Sequence, residues 1–311
     1  MASFTTVLQY LGGVVTLGVS YRIASFIWLY TRLSLLSKYH HGTPGSTWAL
    51  VTGASDGIGH GFAQELCRNG FNVLLHGRNP QKLAGIKDSL KKQYPKAQIQ
   101  VVVADAFDPN ADIEGIATAA RSLPGKLTVL INNVGGAPIE PTYGTITQYS
   151  DDFVNKIISL NARFPAQLTR ALTPLLIENS PSLIMNIGSG VGLRGMPYLS
   201  IYSSSKAFNL CFSQALKTEM TAEGHDVEVL GILISGVATQ SAKVDEDFFT
   251  CSPLHMARSA LARVGCGETS VWGWYRHALQ FAMLSVLPDA ISEPQIIKMI
   301  QGRKIAYEKE T

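Results

Sequence analysis

Tyr202 and Lys206 have side chains and a spacing that could do acid–base chemistry. They are four residues apart, so on a helix they lie one turn apart on the same face. A Lys ammonium close to a phenol stabilises the phenolate and lowers a pKa that is otherwise about 10. Such a Tyr can donate a proton to a substrate oxygen. The alternative is a pair on a solvated helix face, so the interpretation depends on the surrounding residues.

An apolar stretch precedes the elements that must position this pair. Residues 7–30 are almost all apolar or small, and about 20 apolar residues span a bilayer core. Arg22 interrupts the stretch, and together with Arg32 and Lys38 it places the positive charge on the C-terminal side, which should stay cytoplasmic. We expect a membrane anchor over residues 1–36. The alternative is an amphipathic helix that packs on the protein or lies in the membrane interface.

From residue 47 onwards, short apolar runs alternate with amphipathic helical patterns. The runs with the length and composition of buried strands are Trp48–Thr52, Phe71–Leu75, Ile99–Ala104, Leu127–Ile131, Leu183–Ile187 and Val227–Ile234. Six strands separated by helices predict an α/β fold, a Rossmann-like doubly wound parallel sheet in a single domain over residues 47–311. Residues 37–46, which are rich in turn formers, are interpreted as a linker from the anchor.

Glycines and polar side chains follow the predicted strands, at the edge where a doubly wound sheet binds its ligands. Gly53, Gly57 and Gly59 come after the first strand and open the first helix, so backbone N–H groups can approach a pyrophosphate there. The second strand ends with no carboxylate for the ribose of NAD but with Arg78, which suits the 2′-phosphate of NADP unless it is a solvated turn residue. Asp105, after the third strand, could accept from an adenine amine or be an ordinary loop acid.

The later strands end in groups that could bind a carbonyl and a nicotinamide. Asn133 lies after the fourth strand, in a segment that brings backbone and amide groups to the adenosine side of a cofactor. Ser189, after the fifth strand, could hydrogen-bond a carbonyl oxygen that gains charge during reduction, or could satisfy its own turn. Asn161 is predicted in mid-helix, where Asn is a poor helix former, which favours a functional reason. Residues 234–239 form a loop able to cover the nicotinamide.

Taken in order, these motifs resemble the short-chain dehydrogenase/reductase family over roughly residues 47 to 240. The motifs are T-G-x-x-x-G-x-G at 52–59, N-N-V-G at 132–135, Ser189, and Y-x-x-x-K at 202–206. A closer resemblance is to the very-long-chain 3-oxoacyl-CoA reductases and their 17β-hydroxysteroid dehydrogenase relatives. Its features are residues 51–59, Val134, Ser200-Ile201, Phe212–Leu216, the Pro253–Ala260 helix and the apolar N-terminus.

The resemblance implies a role for each candidate residue. Tyr202 would be the proton donor, and Lys206 would lower its pKa and hold the nicotinamide ribose. Ser189 would orient the carbonyl and stabilise its oxyanion, and Asn161 would tie Lys206 to a proton-relay water. The candidate cofactor-binding residues are Val51, Gly53, Ser55, Gly57, Ile58, Gly59, Arg78, Asp105, Asn133, Tyr202, Lys206, Val237 and Thr239. The last two would touch the nicotinamide carboxamide.

The C-terminal third is less regular, and we expect a substrate lid around residues 240–291. Residues 241–251 have an acidic run beside two Phe residues and are interpreted as a mobile lid. Residues 271–291 either pack on the core or enter the membrane interface as an acyl entrance. The tail from 301 to 311 is expected to be solvated. The sequence also departs from the family pattern at Ile234-Ser235, where Pro-Gly or Pro-aromatic is common. The sequence therefore does not predict the conformation of this loop.

Charge and cysteine usage exclude other classes of function. The net charge of +3 and the absence of a basic run argue against nucleic-acid binding. The four cysteines and seven histidines show no metal-ligand spacing, so no metal is predicted. The cysteines are interpreted as reduced thiols, with a disulfide as the alternative.

The complete set of residues predicts NADP(H)-dependent reduction of a ketone to a secondary alcohol. With the resemblance, the substrate is a very-long-chain 3-oxoacyl-CoA in fatty-acid elongation. One alternative is a steroid or specialised-metabolite ketone, and another is a non-catalytic cofactor-binding scaffold. The expected location is the endoplasmic reticulum membrane with the catalytic domain facing the cytosol. Expected partners are the lipophilic substrate and the membrane, with a homodimer or elongation-complex partners as further candidates.

Overall fold

One parallel sheet organises the protein, whose computed structural model describes residues 4–42, 45–240, 242 and 244–310. Within these residues the sheet has seven strands in the order β3-β2-β1-β4-β5-β6-β7, and neighbouring strands are parallel throughout. The strands are β1 Thr47–Thr52, β2 Asn72–Gly77, β3 Ile99–Val103, β4 Lys126–Asn132, β5 Ser182–Ile187, β6 Val227–Leu233 and β7 Ser270–Trp272. The sequence predicted the first six. It missed β7 because a strand of three residues is too short to show a pattern.

Helices connect the strands and cover both faces of the sheet. In chain order they are α1 Phe4–Thr31, α2 Gly57–Arg68, α3 Pro80–Gln93, α4 Ile113–Arg121, α5 Asp151–Ile158, α6 Phe164–Glu178, α7 Ser200–Ala222, α8 Pro253–Leu261, α9 Tyr275–Ser285 and α10 Asp289–Glu310. A π-helical turn, Ser159–Arg163, joins α5 to α6. The predicted solvated tail is therefore mostly the C-terminal half of α10; Thr311 lies outside the described residues.

Two apolar cores lie on opposite faces of the sheet, as strand alternation dictates. In β1, Ala49 and Val51 point to the core that contains α2, α3 and α8, whereas Trp48 and Leu50 point to the core that contains α4, α6 and α7. All four side chains are fully buried, as expected for a central strand of a doubly wound sheet. The strand order reverses between β1 and β4, which opens a crevice at their carboxyl ends.

Most of the N-terminal helix α1 stands apart from both cores, and Leu29 near its end packs against the core beside α2. It is long and apolar enough to cross a membrane, with a mean hydropathy of 1.3 over its most apolar window, and none of that window is buried. Its C-terminal end contacts the domain, because the Tyr30 hydroxyl donates to the carbonyl of Trp272 at 3.0 Å and the guanidinium of Arg263 donates to the carbonyl of Leu29. The structure thus has an exposed apolar helix whose end is held by the domain.

The segment predicted as a linker is partly packed on the domain. Residues 43 and 44 lie outside the described residues. Before them, Leu36 and Tyr39 are buried in the core beside α2, and the Tyr39 hydroxyl donates to Glu228 of β6. The anchor and domain boundaries stay predictions.

Candidate active site

The glycine turn after β1 is fixed to the end of β4. Gly53 and Gly57 have φ values of +65° and +54°, a region that favours glycine. A Cβ at Gly59 would collide with the carbonyl oxygen of Gly53. The backbone N–H groups of Asn133 and Val134 donate to the Thr52 hydroxyl at 2.9 and 3.0 Å. The result is a shallow cradle at the N-terminus of α2, where a helix dipole attracts phosphate.

The ends of β2 and β3 place Arg78 and Asp105 in solvent. Arg78 is exposed, and its guanidinium lies 5.1 Å from the ring centroid of Phe107. Asp105 is also exposed, and its carboxylate accepts from the N–H of Phe107 at 3.1 Å. His76, next to this edge, is buried and stacks on Phe164 with 5.0 Å between ring centroids. Of these residues, only Arg78 has an exposed positive charge that could bind a phosphate group.

The two Asn residues at the end of β4 have different roles. Asn132 is buried and donates to Thr169 and Asn186, each at 2.8 Å, so it braces the sheet. Asn133 is partly exposed, and its side-chain amide donates to the carbonyl of Thr52 at 2.9 Å. It therefore lies beside the glycine turn, and its contact with the adenosine side of a cofactor stays a prediction.

Four predicted catalytic residues come together at the ends of β4 and β5. The hydroxyls of Ser189 and Tyr202 are hydrogen-bonded to each other. A Cβ at Gly135 would lie 2.7 Å from Nζ of Lys206 and 2.8 Å from Oδ1 of Asn161, so these two side chains meet at that glycine. Elements that are distant in the sequence thus bring a hydroxyl pair, an ammonium and an amide to one edge of the sheet.

Asn161 lies in the π-helical turn between α5 and α6 and is fully buried. Its amide donates to the carbonyl of Gly136 at 2.7 Å, and its oxygen accepts from the N–H of Gly136 at 2.8 Å. The poor helix former therefore marks an irregular turn, of a kind frequent at functional sites. It clamps the loop after β4.

The ammonium of Lys206 is held by a backbone carbonyl at the end of β5. Its buried Nζ donates to the carbonyl of Ile187 at 3.1 Å, and burial lowers the pKa of its ammonium to about 8. Burial also raises the pKa of Tyr202, which the hydrogen bond with Ser189 partly opposes. The direction for Tyr202 is opposite to the expected lowering by Lys206, because enclosure of the phenol outweighs the groups that would stabilise its anion.

The loop after β6 closes the site from the other side. Val237 is buried and pairs with Cys251 in an isolated parallel bridge. The side chain of Thr239 reaches the glycine turn, since a Cβ at Gly57 would lie 3.2 Å from its Cγ2. Val237 and Thr239 therefore lie on a loop that runs from the end of β6 to the glycine turn after β1.

Three further candidates lie at or beside the glycine turn. Val51 is fully buried in the core beside α2, so its side chain is not part of the site. Ile58 is only half-buried and packs against the same core from the first turn of α2, while Ser55 lies within the glycine turn next to Gly77.

Helix α10 lies over Tyr202, which sequence reasoning missed. Ile296 and Ile300 pack with Met196 and Leu199 in a small buried cluster that also contacts Tyr202. The four-residue spacing of the two Ile places them on one helix face, but nothing in the sequence says what that face covers. Within the described residues, α10 thus covers part of the site, a role that the sequence predicted for a substrate lid around residues 240–291.

Contacts at both ends hold α10 in place. Arg194 pairs with Asp289 at 3.0 Å and donates to Ser292 at 3.0 Å. At the other end, the Tyr307 hydroxyl is hydrogen-bonded to Glu140. Helix α10 is therefore fixed to the loop after β4 and to the loop after β5.

A cavity of about 1090 Å³ lies between the loop after Ser189, α7, α9 and α10. Its apolar walls include Val191, Met196, Trp272, Phe281 and Ile296. Met196 and Ile296 also belong to the cluster that contacts Tyr202, but neither Tyr202 nor Ser189 lines the cavity, whose wall on α7 is formed by Ser200, Ser203, Ser204 and Ala207. Its volume is at the upper end for small-molecule sites.

The segment interpreted as a mobile lid is tied to α9 where it is described; Ser241 and Lys243 lie outside the described residues. The Arg276 guanidinium lies 4.4 Å from the ring centroid of Phe248 and donates to the Phe248 carbonyl at 3.2 Å. Residues 271–291 form β7 and α9, with Val271 and Trp274 buried against the core, so this region packs on the domain.

In the part of the chain that the structure describes, the cysteines and acidic groups form no cluster suited to a metal. All four cysteines are free thiols in the structure. Among the described residues, no group of three or more His, Cys, Asp or Glu side chains could hold a metal ion.

Comparisons with known proteins agree with this geometry. A family described as short chain dehydrogenase matches residues 47–248. The human very-long-chain 3-oxoacyl-CoA reductase is 32% identical over 265 residues, which cover 85% of this chain and 83% of that protein. The Anas platyrhynchos very-long-chain 3-oxoacyl-CoA reductase is 34% identical over 250 residues, covering 79% and 78%.

Solved structures show the same fold. A short-chain dehydrogenase from Sphingobium yanoikuyae in complex with NADPH has a TM-score of 0.65 and 25% identity, covering 77% of this chain and 92% of that one. A 7beta-hydroxysteroid dehydrogenase has a TM-score of 0.72 at 21% identity, covering 86% and 100%.

Proposed function

This chain belongs to the short-chain dehydrogenase family, and from that premise we propose that it reduces long-chain 3-oxoacyl-CoA to 3-hydroxyacyl-CoA with NADPH. The observation that carries the proposal is the meeting of the Ser189–Tyr202 hydroxyl pair with Lys206 and Asn161 beside the glycine turn. The relatives named as very-long-chain 3-oxoacyl-CoA reductases support the substrate class.

The cradle after β1 fits a dinucleotide. The absence of a side chain at Gly59 leaves room for the tight turn, the N-terminus of α2 suits a pyrophosphate, and exposed Arg78 suits a 2′-phosphate. NADPH bound there would supply the hydride for the carbonyl carbon. Lys206 would hold the nicotinamide ribose, and Val237 and Thr239 would contact the carboxamide.

The hydroxyl pair suits proton donation to a ketone oxygen. In the reduction direction the Tyr202 phenol must be protonated, and the raised pKa keeps it so at neutral pH. Ser189, bonded to the Tyr202 hydroxyl, would orient the carbonyl and stabilise the charge that develops on its oxygen. Asn161, locked onto Gly136, would connect Lys206 to a relay water.

The cavity that shares Met196 and Ile296 with the cluster at Tyr202 supports a lipophilic substrate. Its walls of Val191, Met196, Trp272, Phe281 and Ile296 suit an acyl chain, because burying apolar surface stabilises binding by roughly 25 cal/mol per Å². We propose that the acyl chain lies there while the 3-oxo group meets Ser189 and Tyr202.

Membrane attachment is part of the same proposal. The exposed apolar helix α1 would anchor the protein in the endoplasmic reticulum membrane, with Arg32 and Lys38 on the cytosolic side together with the domain. Protease digestion of sealed microsomes should cleave the domain from outside; protection of the domain would overturn this orientation. A homodimer or elongation-complex partners stay predictions.

A substrate panel tests the reaction directly. Purified full-length protein in detergent should oxidise NADPH with 3-oxoacyl-CoAs of long chain, and faster than with steroid ketones. Turnover of a steroid ketone alone would favour the second substrate class. NADPH binding without turnover of any ketone would indicate a non-catalytic scaffold and would contradict the proposal.

A further inference from the structure

The loop after β6 lacks the proline that would fix its backbone. Ile234 and Ser235 stand at its start, and neither restricts φ as a proline ring does. The loop begins as a continuation of the sheet, because the N–H of Gly190 donates to the carbonyl of Ile234 at 2.9 Å. Beyond that point another element must hold it.

A buried imidazole on α9 holds the next residues. His277 is completely buried, and its Nδ1 accepts from the N–H of Ser235 at 3.2 Å. Its Nε2 lies 3.1 Å from the carbonyl oxygens of both Gly236 and Phe249. Because a backbone N–H can only donate, Nδ1 must be the bare nitrogen, so the proton lies on Nε2 and is shared between the two carbonyls.

The surroundings favour this neutral tautomer. The ring of Trp274 packs edge-on against the imidazole, with 5.1 Å between centroids. Burial lowers the pKa of His277 below its ordinary value. A second bond links the same two elements, since the hydroxyl of Ser235 donates to Oε1 of Gln280 at 3.0 Å.

The three backbone partners of His277 lie on two segments that border the site. Ser235 and Gly236 start the loop that carries Val237 and Thr239, and Phe249 belongs to the segment that pairs with it through Cys251. Gly236 passes so close to this segment that a Cβ there would lie 2.8 Å from the Thr250 hydroxyl. The imidazole therefore pins both segments to α9 at one point.

We infer that His277 is a positioning residue for the nicotinamide end of the cofactor site: through Ser235, Gly236 and Phe249 it sets the loop whose Val237 and Thr239 would contact the nicotinamide. This inference rests on the proposed NADPH site. The imidazole itself touches no reacting group; it takes over the role that a rigid proline would have in the loop.

Two variants separate positioning from folding. His277→Phe keeps an aromatic ring but removes both the acceptor and the donor, whereas His277→Gln keeps one of each. Each is compared with wild type for binding of NADPH and of adenosine 2′,5′-bisphosphate, which has the adenosine and the 2′-phosphate but no nicotinamide. The full-length protein in detergent is titrated by calorimetry.

The inference predicts a split between the two ligands. His277→Phe should weaken NADPH binding by about tenfold, the scale of lost hydrogen bonds to buried groups, and should leave binding of the bisphosphate within about twofold. His277→Gln should recover most of the NADPH affinity. Equal NADPH affinity in all three proteins, or equal loss of both ligands in His277→Phe with no recovery in His277→Gln, would overturn the inference. Failure of wild type to bind NADPH would instead overturn the proposed function.

Discussion

The glycine turn after β1 and the loop after β6 border the same site from two sides, but different kinds of contact hold them. The turn is held by its own backbone and by the end of the adjacent strand β4, through Thr52 and Asn133. The loop depends on α9, through a bond between residues 42 apart in the sequence. The turn is thus held by bonds between adjacent strands of the sheet, whose residues are 81 apart in the sequence, and the loop by a side chain of a helix outside the sheet.

A single methyl group at Gly59 should have the largest effect on this contrast. The new Cβ would collide with the Gly53 carbonyl, so the turn must open and Gly59→Ala should lose NADPH affinity by at least about a hundredfold, since backbone strain and lost phosphate contacts add up. Fluorescence titration with NADPH measures the loss.

Gly85→Ala is the matched control for Gly59→Ala. Gly85 is exposed on α3 and has no atom within 4 Å of a Cβ built there. Alanine should therefore leave NADPH binding unchanged and stabilise the helix by roughly 0.5–1 kcal/mol. Similar affinities for NADPH in the two variants would contradict the proposal that the glycine turn binds the cofactor.

The buried ammonium of Lys206 should make stability depend on pH. Its pKa is lowered from 10.5 to about 8 in the folded protein, so between these values the unfolded chain binds more protons and the free energy of unfolding rises with pH. The gain from pH 8 to 9.5 should be on the order of 2 kcal/mol. Below about pH 7 this group contributes almost no pH dependence, because it is protonated in both states.

Lys206→Met isolates that contribution from other groups that titrate in the same range. Denaturant unfolding without NADPH should show a rise for wild type that exceeds the rise for the variant by the stated amount. Parallel profiles for the two proteins would show that the ammonium is solvated, and not buried against Ile187 as the structure has it.

Arg78 reports on the adenosine end alone. Loss of its charge in Arg78→Ala should reduce NADPH affinity by about tenfold, the scale of a charge-assisted contact with phosphate, and should leave NADH affinity unchanged. Titration with both cofactors provides its own control. An equal loss of affinity for both cofactors would mean that Arg78 supports the fold through its contact with Phe107 and does not bind the 2′-phosphate.

The smallest effect on activity is expected for a substitution in the cavity wall that α9 forms. Leu284 on α9 lines it, so Leu284→Trp should lower kcat/KM for the longest 3-oxoacyl-CoAs by about fivefold, within the range for small changes of pocket volume, and leave short chains unaffected. Leu279→Trp, on an exposed position of the same helix, is the matched control. Equal loss at all chain lengths would place the acyl chain elsewhere.

The difference between the two sides also explains what could be predicted from the sequence. Gly53, Arg78 and Ser189 could be predicted as candidates because each follows a strand whose apolar run is visible, and parallel strands carry such residues to one edge. His277 and Ile296 could not be found, because their partners lie in other elements and no local pattern encodes them. The raised pKa of Tyr202 was missed for the same reason, since its enclosure comes partly from α10.

The central claim is that the Tyr202 hydroxyl donates the proton to the substrate. Steady-state turnover of a long-chain 3-oxoacyl-CoA by Tyr202→Phe, with the NADPH dissociation constant measured on the same sample, tests it most directly. We expect kcat to fall by at least about a hundredfold, the contribution of a positioned general acid, while NADPH affinity changes by less than about threefold because the pair with Ser189 is lost without disturbing the turn. A variant that keeps kcat within a few-fold of wild type would contradict the account.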